Sequence, residues 1–317
     1  MQAFKYLPNM VVMYSNEVVP WQRPRNLPIR LDFLSISGGG SGRLITNAAN
    51  QGGGGGGAGG YITSIIGELS GAGKPAAPPL YIYKGLQIAI VVGAGGAAGV
   101  TGSLSNNGTI SGIRVPANGY YFSANSGGGG VGPTLTSMRN GGGSVNISVA
   151  SLGGDATAGN GYLYPGGNAF YSATASLRSA GGGAGAGAVG GNGASGVGGN
   201  GGAGLASSIT GTSVTRAGGG GGSRVANAAN QGAGGSGGGG AGLYLANGNP
   251  GAVNTGSGGG GVCAGETLYT SGAGGSGIVI LRHSTIYPQA TTTGSPTITT
   301  SGGFRIYEFT GSGSILF

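Results

Sequence analysis

The sequence is poor in the residues that usually staple or arm a protein. It has one cysteine, one histidine, one tryptophan and only six carboxylates in 317 residues. A single thiol, Cys263, forms no internal disulfide and no cysteine-based metal cluster. The carboxylates Glu17, Asp32, Glu68, Asp155, Glu266 and Glu308 stand singly along the chain, and His283 alone builds no multi-histidine site. A glycosidase pair would need two of these scattered acids to meet in space. The expectation is a protein without catalytic centre, metal or cofactor. Charge is also scarce, at 6% of residues, while 38% are hydrophobic; disordered chains combine the opposite values.

Long apolar runs are missing as well. The most apolar stretch, LQIAIVVGAGGAAGV at 86–100, is shorter than the roughly 20 residues of a spanning helix and is broken by glycine, so no membrane insertion is expected. The first residues, MQAFKYLPNMVVMYSNEVVPWQRPRN, lack the basic start, apolar core and small-residue cleavage site of a secretory signal. No segment of ten residues shows helical periodicity free of glycine, which excludes substantial α-helix.

What fills the sequence instead is glycine, 83 residues of it. In 187–204, GAVGGNGASGVGGNGGAG, glycines fall in register at 187, 190, 193, 196, 199 and 202. Polyproline-II geometry turns once every 3 residues or so, with about 3.1 Å rise and no internal hydrogen bonds. Glycine at every third position then leaves one edge of bare backbone, against which a neighbouring chain can supply hydrogen bonds. The register predicts that Gly193 and Gly196 tolerate no side chain, whereas Ala194 and Ser195 do. Collagen needs proline and a longer unbroken repeat, so the expected form is a bundle of short glycine helices folded back within one chain.

Ordering backbone costs about 1–2 kcal/mol per residue, against about 0.5–1.5 returned by a net hydrogen bond, so apolar elements must frame such a bundle. LDFLSIS (31–37), LYIYKGLQIAIVV (80–92), SVNISVA (144–150), GIVILRH (277–283) and FRIYEF (304–309) have strand composition. The fold class that follows is mostly β with glycine-rich polyproline-II (polyglycine-II) helices, a layered bundle framed by short antiparallel strands, almost without α-helix. Asn47–Gly52 recurs as Asn227–Gly232 (NAANQG), each copy running into a glycine tract, and its amides suit capping of helix ends.

Two phosphate-loop spacings fail on context. Gly93-Ala-Gly95-Gly-Ala-Ala98 follows a strand but is followed by no helix pattern and no acid near 20 residues on; Gly71-Ala-Gly73-Lys74 has Glu68 and Pro75 where a P-loop needs glycine and a hydroxyl. The net charge of +8 is spread singly apart from Arg23, Arg25 and Arg30, without a basic helix or interleaved aromatics, so nucleic acid is not expected as a partner.

Ordered blocks in the last hundred residues carry a resemblance. SSITGTSVTRAGGGGGS (207–223), GAGGSGGGGAG (232–242), GAVNTGSGGGG (251–261), GAGGSGIVILRH (272–283) and GSPTITTSGGFRIYEFTGSGSILF (294–317), with LDFLSISGGGSG near the start, resemble the glycine-rich domain of bacteriophage tail and tail-fibre proteins. The likeness spans roughly 29–317. Arg216 and His283 depart from it, standing where the family more often has an aromatic residue. The resemblance implies a virion structural protein made in the host cytoplasm: a tail fibre or tail-tip adhesin, with other tail proteins and a host cell-surface saccharide or outer-membrane protein as partners. A homotrimer is among the assemblies it allows. A tail or capsid decoration protein without a receptor is the alternative, and an extracellular ice-binding glycine-helix protein a further one.

Residues 1–28 differ from the remainder and are expected to form an attachment arm, with Trp21, Arg23 and Arg25 as its anchors; 29–317 form the glycine-rich domain. A glycine core has few features, so recognition is expected on loops that join aromatic rings to Asn, Gly or Pro. Three intervals qualify: 114–122 with Tyr120, Tyr121 and Phe122, 161–178 with Tyr162, Tyr164, Phe170 and Tyr171, and 243–250 with Tyr244.

Overall fold

In the computed structural model, 27–46, 51–100, 105–115, 126–130, 142–143, 162–226, 228–265 and 269–317 are described in full. For 12–14, 17–19 and 120–123 the backbone alone is described. The expected strand at 144–150, the first repeat copy at 47–50, and Trp21, Arg23 and Arg25 lie outside these residues.

Glycine segments form the body of the molecule, and their hydrogen bonds repeat every third residue. In the segment 38–43, Gly38 and Ser41 donate to Thr109 and Asn106, Gly39 and Gly42 to Gly275 and Gly272, and Gly40 and Arg43 to Gly57 and Gly54. One threefold helix thus addresses three different neighbours. Its carbonyls accept from three more: Gly96 donates to Gly39, Gly127 and Gly130 donate to Gly38 and Ser41, and Gly259 and Val262 donate to Gly40 and Arg43. Six neighbours surround this one segment. The same spacing recurs where Ala180, Gly183 and Ala186 donate to Ser223, Gly220 and Ala217. These are polyglycine-II helices, and neighbouring ones run in either direction.

The approach is closer than any side chain allows. A Cβ on Gly39 would lie 2.1 Å from Ser257 O, and one on Gly220 would lie 2.0 Å from Gly259 O. Where carbonyls do not reach, buried serines take over as acceptors. Gly53 N–H donates to Ser223 Oγ (2.7 Å), Gly99 N–H to Ser271 Oγ (2.7 Å) and Asn106 N–H to Ser41 Oγ (2.8 Å). A buried N–H without an acceptor is destabilising by about 1–3 kcal/mol, which explains why hydroxyls sit inside an otherwise bare core.

The glycine register at 187–204 is interrupted by a turn, so its glycines do not all lie on one crowded helix edge as the spacing suggests. Gly187 donates to Ala203, Gly191 donates to Asn200, and Ala194 and Val197 exchange both hydrogen bonds. Two helices therefore run antiparallel and turn at Ser195-Gly196. Gly193 still faces crowding, with its Cβ position 2.7 Å from Ser179 Oγ, but Gly196 has room for a Cβ and is glycine because its φ is +66°. That left-handed conformation disfavours side chains for a different reason.

One end of the bundle is closed by two sheets. The larger has the order Thr297–Ser301, Phe304–Phe309, Ile278–Ser284, Ile29–Ile36, Tyr61–Thr63, with Leu80–Ile82 also pairing with Ile29–Ile36. The smaller has the order Tyr120–Ser123, Gly112–Val115, Gln87–Val91, Gly313–Leu316, Thr291–Thr293. Both are antiparallel. Alternate residues of the larger sheet face opposite ways. Leu31, Phe33, Leu281, Tyr307 and Phe309 pack with Ile88, Ile90, Ile113 and Ile315 of the smaller sheet. Leu34, Ile36, Ile278, Ile280 and Ile306 meet Ala58, Ala186 and Ala217, where glycine segments end. Burial on both faces accounts for the nearly continuous apolar run of GIVIL.

The strands expected at 31–37, 277–283 and 304–309 are present within a residue or two of those limits. The stretch 80–92 divides into Leu80–Ile82 and Gln87–Val91, parted at Gly85, whose φ is +88°. A small sheet at the far end, Leu243–Tyr244, Val262–Cys263 and Leu44–Ile45, is parallel. Two short 3-10 turns, Gly71–Gly73 and Ala175–Leu177, are the helices among the described residues. The first of these turns takes up the phosphate-loop spacing at 71–74. The other such spacing, at 93–98, opens a glycine segment rather than an α-helix.

Gly39→Ala and Gly220→Ala are expected to destabilise the protein by at least about 2 kcal/mol, because backbone on both sides blocks relaxation. Gly311→Ala, with nothing within 4 Å and no positive φ, is expected within about 0.5 kcal/mol of the parent. Urea unfolding of the three variants checks this.

Candidate functional site

The bundle has two unlike ends, about 25 Å apart along a segment such as 36–44 at 3.1 Å per residue. The sandwich closes one. The other is finished by loops, and the eight aromatic residues singled out above divide between them. Tyr162 is half-buried against the sandwich core, and Tyr164 lies beside Gly73, whose Cβ position is 3.4 Å from the Tyr164 hydroxyl. The chain then runs the length of the bundle, Gly167 donating to Gly182 and Gly193 donating to Asn168. Phe170 and Tyr171 emerge at the distal end. Tyr244, half-buried, is in the parallel sheet at that end, paired with Cys263. Tyr120, Tyr121 and Phe122 belong to an edge strand of the smaller sheet, opposite Val115, Arg114 and Ile113, and not to a loop. The interval 161–178 is thus two sites, one at each end.

The distal loop is held rigidly. Phe170 and Ser179 close its base by exchanging hydrogen bonds of 2.9 and 3.3 Å. Within it, Thr174 N–H donates to Ser172 Oγ, and the Ala175–Leu177 turn follows. Arg178 folds back: its Nε donates to Ser172 O (2.7 Å) and its guanidinium lies over the Tyr171 ring, 4.7 Å from the centroid. Arg224 grips the opposite side, with Nη2 donating to Ser176 O (3.3 Å) and Nε to Val225 O (3.3 Å). The turn of the glycine hairpin stands alongside, Gly196 N–H donating to Leu177 O. Tyr171 (37%), Leu177 (38%) and Val197 (42%) are exposed there. In the second repeat copy Gln231 Oε1 accepts from Arg224 N–H (2.9 Å), so its amide does cap the end of a glycine segment.

Sequence reasoning singled out Tyr171 but not its neighbours Arg178, Arg224, Leu177 and Val197. Nothing local marks them. Arg224 and Val197 are joined to the loop only by contacts between segments distant in sequence.

The family match follows the bundle. A model of the glycine-rich domain matches residues 15–284. The chain belongs to the glycine-rich domain family. No curated protein matches it. The matched region ends at Ser284, yet the strands Phe304–Phe309 and Gly313–Leu316 beyond it lie inside the two sheets of the sandwich, so in this glycine-rich domain the last residues are part of the same core.

Arg216 and His283, where the resemblance implies an aromatic residue, are both buried. His283 packs among aromatic rings: it stacks on Tyr307 with centroids 5.6 Å apart and meets Phe317 edge-on at 5.2 Å. Tyr307 Oη accepts from Ala290 N–H (2.9 Å), leaving its proton for His283 Nε2 (3.1 Å), while Nδ1–H donates to Ser284 O (2.9 Å). This network uses a neutral imidazole, and burial holds the His283 pKa below its ordinary value. Arg216 is buried near Tyr61, and its Nη1 has no hydrogen-bond partner among the described residues. Burial pushes the Arg216 pKa down and Tyr61 up. Next to the sandwich, an apolar pocket of about 490 Å³ is lined by Leu27, Ile29, Tyr287, Leu316 and Phe317, with Lys84 among its walls.

Two outcomes follow. His283 has a depressed folded pKa, so its contribution to stability is present above the unfolded value of 6.5 and is lost as pH falls below it. Between pH 7.5 and 5.0 the parent should lose more unfolding free energy than His283→Phe, the difference growing by no more than about 1.4 kcal/mol per pH unit. Cys263 is buried and its thiol is pushed up to about 12, so a thiol reagent at pH 8 should label it only in denaturant.

Proposed function

We propose that this glycine-rich domain is a non-catalytic virion component, a tail-fibre or tail-tip adhesin whose distal loops contact a host cell-surface receptor. The observation that carries this reading is the distal loop, where an exposed aromatic ring is fixed by a stacked guanidinium at the end of a bundle made of glycine backbone. Rigid aromatic contacts lose little entropy on binding, and loops mounted on a stiff frame are where recognition residues concentrate. The sandwich lies at the other end and receives the chain from residues 1–28, which suits attachment to other tail proteins. The resemblance to phage tail proteins supplies the biological setting.

The rival reading, a tail or capsid decoration protein without a receptor, is favoured by Tyr162, which packs on the core as a cap would. The two ends separate these readings. Tyr171→Ala should keep the melting temperature and reduce binding of the purified, labelled protein to host cells at least about tenfold, as for an interface hot spot. Tyr162→Ala should lower the melting temperature. Cell binding that is absent from the parent, or unchanged in Tyr171→Ala and in Tyr244→Ala, contradicts the adhesin reading.

A further inference from the structure

The carboxylates whose side chains are described lie at one end of the molecule. Of the carboxylates whose side chains are described, Asp32 pairs with Arg30 (3.0 Å) and Arg282 (3.3 Å) in the larger sheet. Glu68 accepts from Ser208 and Thr63, and Glu308 belongs to Phe304–Phe309. All three are at the sandwich end. The distal loop instead has the Arg224 guanidinium against it.

Arg224 sits between the distal loop and the turn of the glycine hairpin. Its guanidinium packs against Gly196, 3.7 Å from where a Cβ would stand. The loop 171–178 is drawn in by Arg224 through Ser176 O and by Arg178 through Ser172 O. The turn 194–197 is tied to the loop by Gly196 N–H and Leu177 O. The Arg224 guanidinium donates to the neutral carbonyls of Val225 and Ser176, and no carboxylate among the described residues pairs with it. The Arg224 cation, together with the exposed Tyr171, Leu177 and Val197 side chains of the loop and turn it joins, offers complementary surfaces to a ring that has one polar, charged edge and one C–H face.

We propose that the distal loop binds an anionic sugar, with the Tyr171 ring against a sugar face and the Arg224 guanidinium on the sugar's acidic group. This assigns a ligand class to the adhesin site and rests on that reading for its location. The acidic group is a carboxylate or a phosphate ester, since a guanidinium fork accepts either.

Titration of the full chain with oligogalacturonate, with a glycerol-phosphate oligomer and with neutral dextran tests it. One of the two anionic oligomers should bind and dextran should not, and which one binds tells carboxylate from phosphate. Arg224→Gln should weaken that binding at least about tenfold, as expected on losing a charge-assisted contact. Lys84→Gln, the same charge change at the sandwich end, should stay within about twofold. If Arg224→Gln fails to fold, Arg224→Lys retains the charge and should weaken binding about three- to tenfold by losing the fork. Failure of both anions to bind, equal binding of dextran, equal loss in Arg224→Gln and Lys84→Gln, or unchanged affinity in Arg224→Lys overturns the proposal. Cell binding that Tyr171→Ala abolishes but neither oligomer inhibits overturns the sugar while leaving the adhesin. Oligomer binding without cell binding does the reverse.

Discussion

The N–H groups of 38–43 reach their acceptors because neighbouring backbone occupies the space where side chains would otherwise be. This contact, carbonyl oxygen at about 2 Å from an imagined Cβ at Gly38, Gly42, Gly95 or Gly220, is the constraint on which the structure depends. It requires glycine on faces that touch, permits alanine, serine or asparagine on faces that do not, and fixes a three-residue period. Ala94, Ala97 and Val100 show the permitted side: they are exposed, while Gly93, Gly96 and Gly99 between them are buried.

A network made from backbone has little to offer a ligand or a solvent-excluding core of the usual kind, so both tasks move to its ends. The sandwich supplies the apolar burial that glycine cannot, and does so by burying both faces of the strands Ile29–Ile36 and Ile278–Ser284. On the proposed reading, recognition falls to the side chains of the distal loops. Arg216 and His283 fit the same division, since both are buried at the sandwich end and neither reaches the distal loops.

Much of this was legible in the sequence because it depends on local period. Alternation in FRIYEF gives a strand, glycine spacing gives a threefold helix, and the absence of a glycine-free helical run removes α-helix. The rest depends on pairing between segments far apart in the chain. Gly196 continues the glycine register of 187–202, yet it serves a turn, because Ala194 and Val197 bond to each other. Tyr162 and Tyr171 belong to one short interval of the chain, but the residues between them traverse the bundle, so one caps a core and the other faces solvent. Ser41, Ser223 and Ser271 have no signature as acceptors until the N–H groups opposite them are located.

Amide hydrogen exchange, followed by NMR on the folded protein, reads the central claim directly. If threefold backbone pairing holds the bundle, the N–H groups of Gly39, Gly40, Gly56, Gly183, Gly220 and Gly259 should be protected nearly as strongly as those of the strand Ile278–Ser284, within about tenfold of one another near the global unfolding limit. Exchange of these glycines at rates close to those of an unstructured glycine chain, with the strand still protected, would contradict it.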